Sequence, residues 1–325
     1  MRIGDVLYGH FEVEEVLEQL ILSNEVQRLK DVHMAGPAYL QNPLWNETRY
    51  EHSVGVMLLI RKLGGTLEEQ IAGLLHDVSH TAFSHVIDLA LENESDDYHE
   101  KIKADLVEHS ELPKLLQAYG FDYEQILFDD QKWTLLEQEA PRLCCDRIDY
   151  TLREVHRYFD VPLYEIKQFI EDIQIDDGQI TLRSIDWAVW FIDQYYKVVI
   201  DFFYDPRNIC SYEWMAQIIR IGLAEDMITM MDLMGTDTAF IEKIRRIDSE
   251  VIQSLIKRME APASYVVCKK EDNYDIYQKK KTRIVDPVLI RDKQLVPAST
   301  VSEKARSKVE QLRSDSEQGI YLKLI

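Results

Sequence analysis

Residues 73–88 read GLLHDVSHTAFSHVID, and the expected fold of the chain follows from this stretch. It holds three of the nine histidines and two aspartates within 13 positions. An apolar Gly-Leu-Leu run precedes His76 and Asp77, so one imidazole and one carboxylate leave the end of a helix side by side. A lone His-Asp pair occurs by chance in many proteins, and its meaning therefore depends on what flanks it.

Two further ligand-type residues flank the stretch: His52 lies upstream and Asp146 lies downstream. Either one alone would more often be a capping or hydrogen-bonded residue. With His76 and Asp77 they form a mixed nitrogen and oxygen donor set. Such a set suits Mn²⁺, Fe²⁺, Co²⁺, Ni²⁺ or Zn²⁺ and leaves positions for water and a phosphate oxygen. We therefore expect these four residues to bind a divalent transition metal.

The order of these ligands resembles the H…HD…D signature of the HD-domain metal-dependent phosphohydrolases. Flanking motifs resemble the branch of that superfamily that contains the deoxynucleoside triphosphate triphosphohydrolases. These motifs are RYEHSVGV at residues 49–56, FSH at residues 83–85, His99-Glu100 and Asp146-x-x-Asp149-Tyr150. The resemblance implies a mainly α HD-domain fold and hydrolysis of (deoxy)nucleoside triphosphates to nucleoside and triphosphate. Magnesium could bridge the triphosphate.

The resemblance also implies roles for four further residues. In the family a histidine–aspartate pair protonates the departing 5′-oxygen, and this pair maps onto His85 and Asp88. His80 and His99 would orient water and phosphates. A proton donor is chemically required because an alkoxide is a poor leaving group. The alternatives are that His80 and His85 are ordinary helix-surface histidines and that His99 only begins a helix.

Substrate contacts are expected from three arginines and a tyrosine. Arg49 lies three residues before His52, so it projects from the same face of a helix. Arg49 and Arg147 would offset negative charge on the phosphate oxygens, and Arg207 is a further candidate. The resemblance implies that Tyr150 lies near the sugar or a phosphate. The alternative for each arginine is a solvated surface residue.

Two positions depart from the family pattern where the 3′-hydroxyl of the sugar would be held. The common Gln-Leu-Gly run is replaced by His33-Met34-Ala35-Gly36, and the acidic residue eight places after Asp146 is Glu154 instead of aspartate. Glu154 is still expected to bind substrate, but a preference for deoxynucleotides does not follow. The alternative function is an HD phosphomonoesterase or phosphodiesterase acting on another phosphorylated metabolite. A regulatory module with a vestigial metal site is a third hypothesis.

The amino-acid composition restricts the classes of molecule that this protein is expected to bind. The 325 residues carry 37 Lys and Arg against 58 Asp and Glu, a net charge of −21. This charge disfavours long nucleic acid but allows a small phosphorylated substrate such as a nucleotide. The longest apolar run near the N-terminus, Val54–Ile60, is too short to span a membrane, so no membrane partner is expected. Four cysteines without a Cys-x-x-Cys spacing indicate reduced thiols, and we expect a cytoplasmic protein.

Helical spacing dominates the chain up to about residue 260, and β-branched and aromatic runs follow. We therefore expect a helical HD phosphohydrolase domain over residues 1–260 and a small C-terminal α/β region over residues 261–325. A hairpin is predicted at Ile173–Ile175 and Ile180–Leu182. The apolar and aromatic helix Trp187–Tyr204 would bury one face in the core and another against a neighbour, which leaves a homo-oligomer open. Other predicted elements are helices at Thr134–Ala140, Ser211–Leu233, Ala239–Met259 and Val301–Leu312, and strands at Tyr265–Val267, Asp275–Tyr277, Thr282–Val285 and Ile320–Ile325.

Overall fold

The structure is a computed structural model that describes residues 1–129 and 132–325. Up to residue 260 these residues form mainly α-helices, so the expected mainly α fold is confirmed. The helices of this part are α1 (Glu15–Leu22), α2 (Asn24–Arg28), α3 (Arg49–Lys62), α4 (Leu67–Leu75), α5 (Val86–Ala90), α6 (Tyr98–Glu108), α7 (Leu112–Ala118), α8 (Tyr123–Leu127), α9 (Cys145–Tyr158), α10 (Leu163–Asp172), α11 (Ile185–Tyr196), α12 (Pro206–Ala224), α13 (Met230–Leu233), α14 (Asp237–Arg245) and α15 (Glu250–Glu260). Short 3-10 segments lie at Leu29–Asp31 and Gly36–Leu40, and α11 continues into a π-helical turn at Lys197–Phe202.

Helix α3 is buried along most of its length and packs against α4 and α9. It begins at a capping box, in which Oγ1 of Thr48 accepts a hydrogen bond from the Glu51 amide and the Glu51 carboxylate accepts one from the Thr48 amide. Gly55 permits the close contact with α9, because a Cβ atom there would lie 1.9 Å from Nη2 of Arg153. The N-terminal half of α3 is therefore held against α9.

Small sheets complete the described part of the chain. An N-terminal hairpin, β1 (Arg2–Asp5) and β2 (Gly9–Glu12), was not predicted. The predicted hairpin near residue 177 is confirmed as β3 (Ile173–Asp176) and β4 (Gln179–Leu182). The C-terminal elements are β5 (Tyr265–Cys268), β6 (Ile276–Gln278), β7 (Val288–Arg291), β8 (Gln294–Pro297), α16 (Ala298–Val301), α17 (Glu303–Glu317) and β9 (Ile320–Leu324).

The C-terminal region contains both helices and strands, as predicted. Strands β5, β9 and β6 form one antiparallel sheet, in that order. Strand β7 pairs in parallel with β4, with Leu182 opposite Leu289, so the second sheet has the order β3-β4-β7-β8. This second sheet joins strands from both sides of residue 260. The division of the chain into two domains at that residue stays a prediction.

The predicted helix at Thr134–Ala140 is wrong, since this segment consists of turns and irregular backbone. A buried carboxylate explains the difference. Oε1 of Glu69 accepts hydrogen bonds from the amides of Leu135 and Leu136, at 2.7 and 3.3 Å. The carbonyls of the same two residues accept from the first amides of α9. These bonds replace the helical pattern and fix the start of α9.

Other predicted elements also differ from the structure. The helix expected at Ser211–Leu233 is divided into α12 and α13, because the chain turns back at Gly222, whose carbonyl accepts from the amides of Met227 and Ile228. The helix expected at Ala239–Met259 is divided into α14 and α15. Residues 282–285 form no strand, and β7 begins three residues later, at Val288. Among the described residues, no helix has both the length and the apolar character needed to cross a bilayer.

Candidate metal centre

Three helices bring the four predicted metal ligands together. His52 lies in the first turn of α3, His76 and Asp77 follow the end of α4, and Asp146 lies in the first turn of α9. Nε2 of His52 lies 3.0 Å from Oδ1 of Asp146 and 3.8 Å from Oδ2 of Asp77. Nε2 of His76 lies 3.5 Å from Oδ1 of Asp77 and 3.7 Å from Oδ1 of Asp146. Residues spaced over almost a hundred positions therefore converge on one small space.

The orientation of His76 fits a cation in that space. Its Nδ1 lies 2.7 Å from the carbonyl oxygen of Gly73, which can only accept a hydrogen bond. Nδ1 therefore carries the hydrogen in the neutral ring, and the lone pair of Nε2 faces the carboxylates. Nε2 is buried and has no hydrogen-bond partner. A divalent cation would satisfy this atom, so the donor set fits the metal that the sequence implies.

His52 is held in a corresponding way by a carboxylate behind it. Nδ1 of His52 lies 2.9 Å from Oδ2 of Asp149. Asp149 in turn accepts hydrogen bonds from the Tyr8 hydroxyl at 2.7 Å and from Nη2 of Arg153 at 2.7 Å. Burial lowers the pKa of His52, but the hydrogen bonds to Asp146 and Asp149 outweigh burial and raise this pKa to about 10. In the absence of metal, the carboxylates thus keep His52 protonated at neutral pH.

Asp77 connects the candidate ligands to the remaining histidines. Its Oδ2 accepts a hydrogen bond from Nη1 of Arg49 at 2.7 Å, and its Oδ1 lies 3.2 Å from Nε2 of His80. Burial raises the pKa of Asp77, but Arg49, His76 and His80 together outweigh burial and hold this pKa well below its ordinary value. Asp77 is therefore ionised and able to bind a cation.

His80, His85 and His99 form a second group beside the ligands, with ring nitrogens within 4.8 Å of one another. The rings of His80 and His99 stack with centroids 3.9 Å apart, and the ring of His85 stands edge-on to both. Burial is the main reason that the pKa of His80 lies well below its ordinary value and that the pKa of His99 falls to about 3. These two rings are therefore neutral at physiological pH.

His85 differs from its two neighbours because it is more exposed and has a carboxylate partner. Its side chain is 32% exposed, and its Nδ1 lies 3.1 Å from Oδ2 of Asp88. Oδ1 of Asp88 accepts hydrogen bonds from the amide of Tyr98 at 3.0 Å and from the side chain of Asn93 at 2.6 Å. The carboxylate is thus fixed at both oxygens, and the structure brings the predicted proton donor and its partner together.

Of the three predicted arginines, the structure brings only Arg49 to the candidate ligands. Its Nε also donates to Oγ of Ser84 at 3.0 Å. Arg147 follows Asp146 in sequence, but its Nη1 donates to the carbonyl of Arg142 at 2.6 Å. Arg207 pairs with Asp205 at 2.7 Å, and its guanidinium carbon lies 4.5 Å from the ring centroid of Trp45. Arg147 thus contacts the loop before α9 and Arg207 contacts the N-cap of its own helix, and their contacts with the substrate stay predictions.

Tyr150 and Glu154 lie along α9 beyond Asp146. The Tyr150 ring centroid is 6.4 Å from that of His52. Glu154 is 1% exposed, and its Oε2 has no hydrogen-bond partner. Burial and the nearby carboxyl group of Glu47 raise the pKa of Glu154 well above its ordinary value. The structure therefore places both predicted substrate contacts on the helix that carries the last ligand.

Some residues of the site were missed or left without a role. Glu47 is fully buried, neither of its carboxylate oxygens has a hydrogen-bond partner, and burial raises its pKa to about 8. Tyr8 and Arg153 hold Asp149, which follows Asp146 by three residues on the same helical face. That spacing is the signal that could have identified Asp149 as a support for a ligand. No comparable signal marks Glu47 or Tyr8, since both reach the site from other segments.

Comparison with known proteins agrees with this geometry. The HD domain family matches residues 49–153, the part that contains every candidate ligand. The metal-dependent phosphohydrolase cns2 of Cordyceps militaris is 30% identical over 88% of this chain and 84% of its own length. This chain belongs to the HD-domain metal-dependent phosphohydrolases. The uncharacterized protein YdhJ of Bacillus subtilis is 46% identical over 100% of this phosphohydrolase and 99% of its own length.

Two more distant proteins resemble this phosphohydrolase in part or in fold. Chicken SAMHD1, a deoxynucleoside triphosphate triphosphohydrolase, is 29% identical over 38% of this chain and 24% of its own length. A crystal structure of a hypothetical protein from Aquifex aeolicus has a TM-score of 0.73 and 18% identity, and covers 97% of this chain and 99% of its own. The second match shows the fold alone.

Proposed function

We propose that this phosphohydrolase cleaves nucleoside triphosphates, including deoxynucleoside triphosphates, to nucleoside and triphosphate. The observation that carries the proposal is the His85–Asp88 pair, which lies beside the candidate ligands with His80 between them. Release of triphosphate leaves a 5′-alkoxide on the nucleoside, and such a leaving group requires a proton donor. A partly exposed histidine backed by a fixed carboxylate is suited to that role. The similarity of part of the chain to SAMHD1 supports the same substrate class.

Each group of the site has a part in this reaction. When bound by His52, His76, Asp77 and Asp146, a divalent cation supplies Lewis-acid polarisation of a phosphate oxygen and lowers the pKa of coordinated water. Asp149 holds the ring of His52 in the orientation that a ligand needs. The sequence resemblance also implies magnesium, which would offset part of the negative charge of the substrate's phosphates.

The histidines act on the other side of Asp77. His80 and His99 are neutral, so their ring nitrogens can donate or accept hydrogen bonds and orient a water molecule or a phosphate. His85 donates its proton from Nε2 to the departing oxygen, since Nδ1 faces Asp88. Asp88 stabilises the protonated ring before the transfer. Arg49 keeps Asp77 ionised and adds positive charge beside the phosphate.

A second candidate function is that of a phosphomonoesterase or phosphodiesterase acting on another phosphorylated metabolite. The favouring observation is the pair of buried carboxyl groups, Glu47 and Glu154, near the position where the sugar contact is expected. Oε1 of Glu47 has only an ion pair with Arg153 at 3.5 Å, and Oε2 of Glu154 has no hydrogen-bond partner. The similarity to cns2 also covers far more of the chain than the similarity to SAMHD1 does. The two candidates share the metal centre and differ in the group that is released.

The released phosphorus species separates these candidates. We would load the protein with Mn²⁺ and incubate it with ribo- and deoxynucleoside mono-, di- and triphosphates, sugar phosphates and a cyclic nucleotide. Phosphorus NMR would then identify the products. Tripolyphosphate from a nucleoside triphosphate would support the proposal, and orthophosphate from a monoester would support the second candidate. No release from any substrate, by protein with full metal occupancy, would contradict both.

A further inference from the structure

The three arginines that sequence spacing assigns to the substrate are already engaged. Arg49 is paired with Asp77, Arg147 with backbone carbonyls of the loop before α9, and Arg207 with Asp205. A substrate with several phosphate groups carries more negative charge than these already paired side chains can neutralise. Other positively charged side chains near the site are therefore candidates for contact with the phosphates.

Residues 281–286 of the C-terminal region pass along the edge of the site and are fixed at both ends. The amide of Lys281 donates to the Tyr204 hydroxyl at 2.8 Å. The amide of Asp286 donates to the carbonyl of Pro141 at 2.9 Å, in the loop before α9, and Val285 is fully buried. The side-chain nitrogen of Lys281 also donates to the carbonyl of Ser95 at 3.1 Å. Residues 281–286 therefore hold a fixed position at the edge of the site.

Arg283 lies in the middle of this segment and faces an aromatic wall that continues to the metal centre. Its guanidinium carbon is 5.3 Å from the ring centroid of Phe203. The Phe203 ring is 6.3 Å from the Tyr150 ring, which is 6.4 Å from the ring of the candidate ligand His52. Two aromatic rings thus lead from the guanidinium to the first ligand.

The electrostatics agree with this placement. Burial and Glu47 raise the pKa of Glu154, and the charges of His52, Arg49 and Arg283 oppose that rise. Arg283 and the candidate ligand His52 therefore both act electrostatically on the carboxyl group of Glu154. In the described residues, its guanidinium makes neither an ion pair nor a hydrogen bond, although the side chain is half-buried. The charge of Asp96 acts on Arg283 without forming an ion pair. A half-buried guanidinium without a directly paired carboxylate is unusual in a folded protein, and an anion would compensate it.

We infer that Arg283 is a substrate-binding residue, whose guanidinium contacts phosphate oxygens of the substrate on the side of Tyr150 away from the metal. The planar guanidinium offers two parallel N–H donors that match two phosphate oxygens. The C-terminal region thereby completes a site whose other parts come from the HD domain. This inference rests on the proposed phosphohydrolase function, because it assumes a phosphorylated substrate.

The test measures anion binding apart from turnover. Isothermal titration with inorganic tripolyphosphate and with orthophosphate would be carried out on the Mn²⁺-loaded full chain, comparing wild type with Arg283→Gln and Arg283→Lys. Arg291→Gln is the matched control, since Arg291 is an exposed arginine of the same C-terminal region. Metal content and thermal midpoint are measured for every variant. We expect Arg283→Gln to bind the tighter of the two anions about ten times more weakly or worse, Arg283→Lys to be intermediate and Arg291→Gln to match wild type.

Equal affinity in Arg283→Gln and wild type, at equal metal content, would overturn the inference. If Arg283→Gln does not fold, chemical labelling of the wild type tests whether the anion contacts Arg283. Phenylglyoxal modification of Arg283, followed by mass spectrometry, should be suppressed by the anion while modification of Arg291 is unchanged. Unchanged labelling of Arg283 would also overturn the inference. If the proposed function fails because no substrate is hydrolysed, the binding and labelling results still stand or fall by themselves.

Discussion

Nε2 of His76 and Oδ1 of Asp146 lie 3.7 Å apart, and the histidine nitrogen is buried without a hydrogen-bond partner. Leaving a buried acceptor unsatisfied costs about 1–3 kcal/mol. The hydrogen bond from Nδ1 to the Gly73 carbonyl nevertheless holds the ring in this orientation. A site that accepts this cost in the metal-free protein recovers it when a cation binds between the two side chains.

Replacement of His76 by alanine should remove the bound metal and the activity while the protein stays folded. The structural loss is modest, because the ring gives up one hydrogen bond, to Gly73, worth about 1 kcal/mol, and an edge-on contact with the His52 ring. Metal analysis of the purified variant checks the loss of metal. A thermal melt in the presence of chelator checks that the variant is folded. His109→Ala, at an exposed histidine just after α6, is the control. A His76→Ala protein with full metal occupancy would remove this residue from the ligand set.

Asp149→Asn should weaken metal binding although Asp149 is not itself a proposed ligand. The asparagine cannot hold the His52 ring as the carboxylate does, and such supporting contacts are typically worth about 10–100-fold in metal affinity. Tyr8→Phe removes only the hydroxyl that donates to the same carboxylate, so its effect should be smaller. Titration of chelated protein with Mn²⁺ gives both dissociation constants. Wild-type affinity in Asp149→Asn would show that His52 needs no such support.

His85→Ala should retain metal and lose turnover by about 10²–10⁴-fold, as is typical for loss of a general acid. A nitrophenyl phosphodiester should be much less affected, because its leaving oxygen departs without a proton. Both substrates are measured on wild type and variant at matched metal content. Equal slowing on the two substrates would reject the assignment and point to His80 or His99 as the donor.

The order of the ligand-type residues along the sequence was sufficient to predict which residues form the centre of the site. His52, His76, Asp77 and Asp146 were predicted as one group, and three helices bring them together. The reason is local: each lies at a helix terminus or in a first turn, where the motif fixes the direction of the side chain. Their binding of metal remains a prediction, as do the roles of His85 and Asp88.

The contacts that depend on distant segments could not be predicted. Tyr8 and Arg283 reach the site from the N-terminal hairpin and from the C-terminal region, and no spacing in the sequence connects them to His52. Arg207 pairs with Asp205, two residues before it, and its contact with the substrate stays a prediction. The predicted helix at Thr134–Ala140 failed for the same reason, because Glu69 is remote in sequence from the amides that it binds.

Glu47→Gln should stabilise the metal-free protein at alkaline pH and change little under acidic conditions. Burial raises the folded-state pKa of Glu47 to about 8, whereas its unfolded pKa is about 4.3. Between these values the folded state binds more protons than the unfolded state, so stability falls as the pH rises through this window. Glutamine carries no charge and escapes this loss.

Chemical denaturation of chelated protein at pH 5, 7 and 9 checks this prediction. The free energy of unfolding of Glu47→Gln should exceed that of wild type by an amount that grows with pH. Glu225→Gln, at an exposed glutamate just after α12, should follow wild type throughout. A difference between Glu47→Gln and wild type that is constant over the three pH values would mean that Glu47 does not titrate in this range.

The central claim is that one divalent cation, held by His52, His76, Asp77 and Asp146, makes this protein a phosphohydrolase. The most direct measurement is turnover of the best substrate by chelated protein as Mn²⁺ is added in steps, in water enriched in oxygen-18. We predict that activity rises in proportion to bound Mn²⁺, levels off at one ion per chain, and places the heavy oxygen in the phosphorus-containing product. Undiminished turnover in the metal-free protein, or heavy oxygen in the alcohol product, would contradict the account.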